Sequence, residues 1–212
     1  MTRPSPAPRR GASSHGAAAR RGVPAQVRII GGRWKRTPLP VPEAEGLRPT
    51  PDRVRETLFN WLGQRLDGAR CLDLFAGSGA LGFEAASRGA AEVLLVERNM
   101  RVADLLEQTR RKLQADCVKV VAADGLRFAA GLASGSFDLV FLDPPFAGNA
   151  LLPALRTVLP LLAPDGALYV EMARPLESCL DMTAPPFADW TIDRQGKAGA
   201  VHYHLLRHEN RQ

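Results

Sequence analysis

The sequence predicts an α/β fold: a mostly parallel, seven-stranded sheet with helices on both faces and a small N-terminal extension. Three observations predict it. From Arg70 onward, short apolar runs alternate with helical stretches, as in parallel strands buried on both faces by crossover helices. The first run empties into a glycine-rich turn, Gly77-Ser78-Gly79-Ala80-Leu81-Gly82. The fourth ends on the tetrapeptide Asp143-Pro144-Pro145-Phe146. Both features belong at the carboxyl edge of such a sheet, where open α/β folds bind ligands.

Residues 1–26 are rich in Pro, Ala, Arg, Gly and Ser. They cannot bury enough apolar surface to offset chain entropy, so this basic arm reads as disordered. An extension over residues 27–66 follows. In it Val27-Arg28-Ile29-Ile30 is strand-like, and prolines 38, 40, 42, 49 and 51 keep the connection extended. Pro51 opens a helix with Thr50 as its cap, and Val54, Leu58, Trp61 and Leu62 recur at helical spacing. The catalytic part is expected over residues 67–212. Strands are predicted at 71–75, 93–96, 118–121, 137–142 and 166–170. The helices between them fall at 78–88, 100–113, 126–131 and 151–162. Two late strands at 190–192 and 201–206 suit a closing antiparallel hairpin, with Lys197-Ala198-Gly199 as its turn.

The bulk properties narrow the function classes. The chain has 212 residues, 45% hydrophobic and 24% charged, which is ordinary for a water-soluble globular protein. No apolar run reaches the roughly 20 residues of a membrane span, and Pro160 interrupts the longest candidate near Val158–Ala163. Cys71, Cys117 and Cys179 are few and scattered, which supports neither a disulfide framework nor a metal site. The four histidines show no catalytic or metal pairing. A reducing, cytoplasmic setting is expected.

The net charge of +6 is unevenly placed. Arg3, Arg9, Arg10, Arg20, Arg21, Arg28, Arg33, Lys35 and Arg36 all precede the first acid, Glu43. The remaining 19 basic and 22 acidic residues, from totals of 28 and 22, leave the body mildly acidic. Such an arm fits phosphate backbones. It also fits a solvated tail or an organelle transit peptide.

Glycines let the backbone turn tightly at Gly77 and Gly79 and approach a ligand at the start of a helix. Phe75 and Ser78 flank that turn. Glu97 closes the second strand, where a carboxylate accepts ribose hydroxyls. The glycine spacing with this acid also satisfies a dinucleotide fingerprint, so a nicotinamide cofactor stays open at this point. Two residues favour S-adenosyl-L-methionine. Asp73, inside the first strand, suits its ammonium group, and Asp124, after the third strand, suits the amino group of an adenine.

In Asp143-Pro144-Pro145-Phe146, two prolines fix the backbone and remove two donors. The Asp143 carboxylate and the Pro144 carbonyl become rigid acceptors for the two hydrogens of an exocyclic amine. Accepting both draws that nitrogen towards sp3 geometry and frees its lone pair to attack a methyl sulfonium. Phe146 can stack on the base. This chemistry defines an amino group on a base without choosing the base. It is shared by N6-adenine and N4-cytosine DNA methyltransferases. An RNA-binding assembly factor on the same scaffold, without catalysis, is a further alternative.

Four stretches narrow the field: Arg28–Gly32, Leu47–Leu62, Phe75–Gly82 and Asp143–Phe146. Together they resemble the RsmD-type enzymes of the class I methyltransferase superfamily, whose fold is Rossmann-like. The resemblance covers about Arg28 to Leu206. It implies methylation of N2 of one guanine in 16S ribosomal RNA with S-adenosyl-L-methionine as donor. The small size of the chain suggests a substrate supplied with structure, such as a small-subunit particle, and a monomer without a metal is expected. It assigns Asp73, Gly77 and Gly79 to the methionine part, Glu97 to the ribose, Asp124 to the adenine and Asp143–Phe146 to the guanine. Candidate RNA contacts are Arg28, Arg33, Lys35, Arg36, Arg48, Arg53 and Arg55. The arm over residues 1–26 lies outside the resemblance.

Overall fold

The computed structural model describes residues 26–41, 50–144 and 151–209. The arm up to residue 25, together with Arg48, Pro145 and Phe146, lies outside the described residues. The extension begins with a small antiparallel pair, β1 (Gln26–Arg28) and β2 (Pro38–Pro40). Here Pro38 and Pro40 stand in a short edge strand, where a missing donor costs little; Pro42 and Pro49 lie outside the described residues. Helix α1 follows at Asp52–Trp61. The alternation then runs β3 (Arg70–Asp73), α2 (Ala80–Ser87), β4 (Glu92–Glu97), α3 (Met100–Leu113), β5 (Val118–Ala122), α4 (Gly125–Ala129), β6 (Phe137–Leu142) and α5 (Leu151–Val158). A 3-10 turn at Leu159–Leu161 leads into β7 (Leu162–Met172), and β8 (Trp190–Ala198) and β9 (Val201–His208) close the chain.

The strands form one seven-stranded sheet in the order β5-β4-β3-β6-β7-β9-β8. The first five are parallel, and β9 pairs antiparallel with both β7 and β8. The chain moves outward from β3 through β4 to β5, then returns to lay β6 on the other side of β3. That reversal opens a crevice at the carboxyl ends of β3 and β6. The late strands are longer than the sequence pattern suggested. Lys197 lies in β8, and the bend falls after it at Gly199. His202 and His204 lie in β9, and buried His204 accepts the Leu176 amide through Nε2 at 3.3 Å.

Two clusters of buried side chains cover the two sheet faces. Helix α1 packs Val54, Leu58 and Phe59 onto one of them. Phe59, Phe141, Tyr169 and Tyr203 follow one another there with ring centroids 6.3–6.5 Å apart, and Trp61 lies 5.4 Å from Tyr203. Spacings of this kind add to area burial for each pair.

One acid fastens the extension to this core. All eight residues of α2 are buried, Glu84 among them. Its Oε1 accepts the Gly31 amide at 2.8 Å and Arg88 Nε at 2.7 Å. Its Oε2 accepts the Ile30 amide at 2.7 Å and Arg55 Nη1 at 3.4 Å. Arg55 also donates to the carbonyls of Arg28 and Thr50 and to the Asp52 carboxylate. The Ser87 carbonyl takes the Arg33 amide, and its hydroxyl bridges Trp34 and Gly31. A side chain at Gly32 would begin 1.8 Å from the Ser87 oxygen, and φ there is +72°. Only glycine fits.

Two sequence expectations are corrected here. Pro51 stands at the cap position of α1, which has no side-chain cap; the Thr50 hydroxyl points inward to Glu171 instead. Arg55 is fully buried and ion-paired, so its guanidinium does not reach RNA.

Removing Glu84 leaves two buried guanidinium groups and two amides without their acceptor. Glu84→Ala should cost about 3–5 kcal/mol. Urea unfolding should then show a lower midpoint at unchanged m-value.

Candidate active site

The site grows from the carboxyl ends of the parallel strands. Asp73 ends β3 and is 2% exposed. Its Oδ2 accepts the Gly82 amide of α2 at 3.1 Å, so it braces the turn it precedes. Within that turn Gly77 and Gly79 have φ of +51° and +74°. A Cβ at Gly82 would fall 2.1 Å from Leu95, which fixes how closely α2 approaches β4. Ser78 is buried and Phe75 half-buried against the core.

Glu97 ends β4 and accepts the Gly77 amide at 3.0 Å and the Asn99 amide at 2.8 Å. It therefore locks the turn while its remaining lone pairs face outward. Asp124 caps α4 by accepting the Arg127 amide at 3.0 Å. That bond uses one carboxylate oxygen and leaves the other. The three acids expected to hold a nucleotide-type cofactor thus stand after β5, at the end of β4 and at the end of β3, three strands side by side. Each also has a structural bond that sets its orientation.

Asp143 and Pro144 follow β6 directly, next to β3. Asp143 keeps some contact with solvent, yet burial pushes its carboxyl well above the usual range. The nearby charges of Glu171 and Asp73 add to this rise. Burial also lifts Asp73, to about 7, against the opposing bond from Gly82.

Glu171 was not foreseen. It lies one position beyond the Leu142–Val170 register pair, beside Asp143. It is 3% exposed, and its Oε1 accepts the Thr50 hydroxyl at 2.7 Å and the Tyr169 hydroxyl at 2.9 Å. Burial raises its pKa despite both bonds. The signal in the sequence was a lone acid closing the apolar run Ala167-Leu168-Tyr169-Val170-Glu171.

Among the described residues, no cation figures in the groups that act on Asp73, Asp143 or Glu171. Such a trio matches a ligand that brings positive charge and N–H donors. It suits a cationic ligand group better than the anionic pyrophosphate of a dinucleotide. Of the proposed RNA contacts, Arg28, Arg33, Lys35, Arg36 and Arg53 are exposed, and Arg28 is already paired with Asp52 at 3.0 Å.

Comparison with known proteins decides the family. The family described as conserved hypothetical protein 95 matches residues 27–207. The chain belongs to that family. It is 43% identical over 185 residues to ribosomal RNA small subunit methyltransferase D of Escherichia coli K12, spanning 87% of this chain and 91% of that protein. Its identity to the protein of the same name from Haemophilus influenzae is 40% over 189 residues, 86% of this chain and 94% of the other. The solved structure of Escherichia coli yhhF, described as a methyltransferase, superposes with a TM-score of 0.74 at 41% identity, covering 88% of this chain and all of that one. The fold is that of the class I methyltransferases, and the chain is a methyltransferase. The family match takes in Asp73, Glu97, Asp124, Asp143 and Glu171, and it starts just past the basic arm.

The raised Asp73 carboxyl has a consequence for stability. Between the ordinary aspartate value and about 7, the folded chain holds a proton that the unfolded chain has lost. Ligand-free stability from this group therefore falls as pH rises through that window. Asp73→Asn should remove this share, reducing the difference between pH 5 and pH 8 by about 2–3 kcal/mol. Urea titrations of both proteins at the two pH values measure it.

Proposed function

We propose that this chain transfers the methyl group of S-adenosyl-L-methionine to the exocyclic N2 of a guanine in 16S ribosomal RNA of the small subunit. The observation that carries the reading is the adjacency of Asp73 and Asp143, one closing the cofactor turn and the other opening the Asp-Pro-Pro segment, on neighbouring strands. The names of the relatives, ribosomal RNA small subunit methyltransferase D, support the acceptor.

The bound cofactor supplies an electrophilic methyl group on a positively charged sulfur. The chain's residues do the rest. Asp73 receives the ammonium of the methionine part, with Phe75, Gly77, Ser78 and Gly79 around it. Glu97 takes the ribose hydroxyls and Asp124 the adenine amine. Asp143 and the Pro144 carbonyl accept the two hydrogens of N2 and turn its lone pair towards the methyl carbon in line with the sulfur. Pro145 and Phe146, outside the described residues, would complete the base site, with Phe146 stacking on the base. Catalysis is then mostly positioning. The N2 lone pair would form the N–C bond as the methyl C–S bond breaks, that bond's electron pair staying on the sulfur of the departing neutral thioether, S-adenosylhomocysteine. The methylated amine would then give a proton to Asp143, which passes it to water. The guanine must leave its stack to enter.

The exposed Arg28, Arg33, Lys35, Arg36 and Arg53, together with Arg48 and the arm, would bind RNA phosphates. Arg55 instead serves the clasp around Glu84. The division into arm (1–26), extension (27–66) and catalytic part (67–212) follows, with the extension held to the catalytic part by Glu84. We read the enzyme as a cytoplasmic monomer that acts on a small-subunit particle and needs no metal. Among the described residues no helix is long and apolar enough to cross a membrane.

Asp143→Ala should lower turnover by about 1,000-fold or more and leave S-adenosylhomocysteine affinity within about threefold. Tritiated methyl transfer and thermal shift measure the two, and unchanged turnover would sink the assignment. Nucleoside mapping of rRNA from a strain without the gene should lose one N2-methylguanosine. Deleting residues 1–26 should flatten the salt dependence of RNA affinity by ~0.7–0.9 log units per lost phosphate contact. An unaltered slope would return the arm to a solvated tail.

A further inference from the structure

The acceptor chemistry at Asp143 reads an amino group without choosing the base, and Glu171 stands where that choice can be made. It sits beside Asp143 at the end of the adjacent parallel strand. The two side chains share one sheet face. Phe141 and Tyr169, two residues before each, pack together in the same cluster, and strand alternation repeats every second residue. The Tyr169 hydroxyl reaching Glu171 at 2.9 Å agrees with this. Both hydrogen bonds from described residues go to Oε1, so the carboxylate is oriented and Oε2 is left for another donor.

Two carboxylates on adjacent strands form an acceptor–acceptor pair. On its Watson–Crick edge guanine presents two neighbouring donors, the N2 amine and N1–H. Adenine offers a donor at N6 but a lone pair at N1, and cytosine a donor at N4 but a lone pair at N3. A carboxylate opposite a ring lone pair gains no bond and is repelled. We infer that Glu171 is a specificity-determining residue whose Oε2 accepts N1–H of the target guanine, alongside the hold of Asp143 on N2. This rests on the function proposed above and deepens it.

The position of Glu171 depends on the extension. Thr50 donates to it from just before α1, and Arg55 holds the Thr50 carbonyl within the Glu84 clasp. Base selection is thus tied to a segment outside the cofactor-binding sheet.

The test uses the full chain and small-subunit particles, reconstituted with 16S rRNA in which the target guanine is kept or replaced by 2-aminopurine. That analogue retains the 2-amino group but has a lone pair at N1. The wild type should favour guanine by about 100-fold or more in kcat/KM, as expected where a buried acceptor loses its donor. In Glu171→Gln the amide can turn its N–H towards N1 of the analogue. The preference should then shrink to within about fivefold, while S-adenosylhomocysteine affinity stays unchanged. A purely structural role would lower both substrates together and leave the ratio intact. A wild-type ratio within about threefold, or an unchanged ratio in the variant, overturns the inference. If the variant does not fold, the wild-type ratio alone decides. A wild type inactive on the guanine particle, yet stabilised by S-adenosylhomocysteine, overturns the acceptor reading and this inference with it.

Discussion

A carboxylate buried in the middle of a helix holds the architecture together. Glu84 has no solvent to fall back on, so its charge is tolerable only because four donors converge on it. Two are backbone amides of the extension, and two are arginines that bind further carbonyls. A buried ion network of this kind does not add much stability compared with a well-packed apolar replacement, but losing one member is severe. Its effect here is geometric. It fixes the extension on the outer side of α2, while the opposite end of the same helix begins at the cofactor turn. The clasp and the turn therefore cannot shift independently.

At the carboxyl edge the opposite condition holds. Asp73 and Glu171 are buried and Asp143 partly so, and among the described residues no cation figures in the groups acting on them. Glu171 and Asp73 raise the cost of ionising Asp143, and Glu171 raises that of Asp73. Stability is traded for readiness. On the proposed function, the donor's ammonium would relieve Asp73, and the N–H donors of the acceptor base would relieve Asp143 and Glu171. Glu84 and this trio show the two ways a protein treats a buried acid: complete its partners internally, or leave them to the ligand.

The sheet, its strand types and the placement of Asp73, Glu97, Asp124 and Asp143 were legible because each depends on local pattern. Apolar runs report burial on both faces, and acids or glycines at their ends report the turns. What escaped was non-local. Arg55 looked like one of several surface arginines because its inward path depends on Glu84, 29 residues away. Thr50 looked like a helix cap, as a threonine before a proline and an aspartate should. Its hydroxyl is drawn off by Glu171, which lies 121 residues later. Glu171 itself was hidden in a long apolar stretch, and only the register of β7 on β6 sets it beside Asp143. Local chemistry can name a residue's options, but packing partners decide among them.

The acids also have an order. Across the sheet, β5, β4, β3, β6 and β7 run in sequence, and each delivers one carboxylate to the same edge: Asp124, Glu97, Asp73, Asp143 and Glu171. The groups assigned to them in turn are an adenine amine, a ribose, a methionine ammonium, a guanine N2 and a guanine N1. On those proposed roles, the sulfur of the donor joins its ribose to its methionine part and carries the methyl group, and the acceptor base lies against the two strands beyond. A parallel sheet supplies such a row because all its strands end on one side, about 4.8 Å apart. The chemistry of each position then follows from which strand carries it. On the proposed roles, moving Asp143 and Glu171 to strands on the far side of β5 would keep five carboxylates at the edge but part the acceptor base from the methyl group.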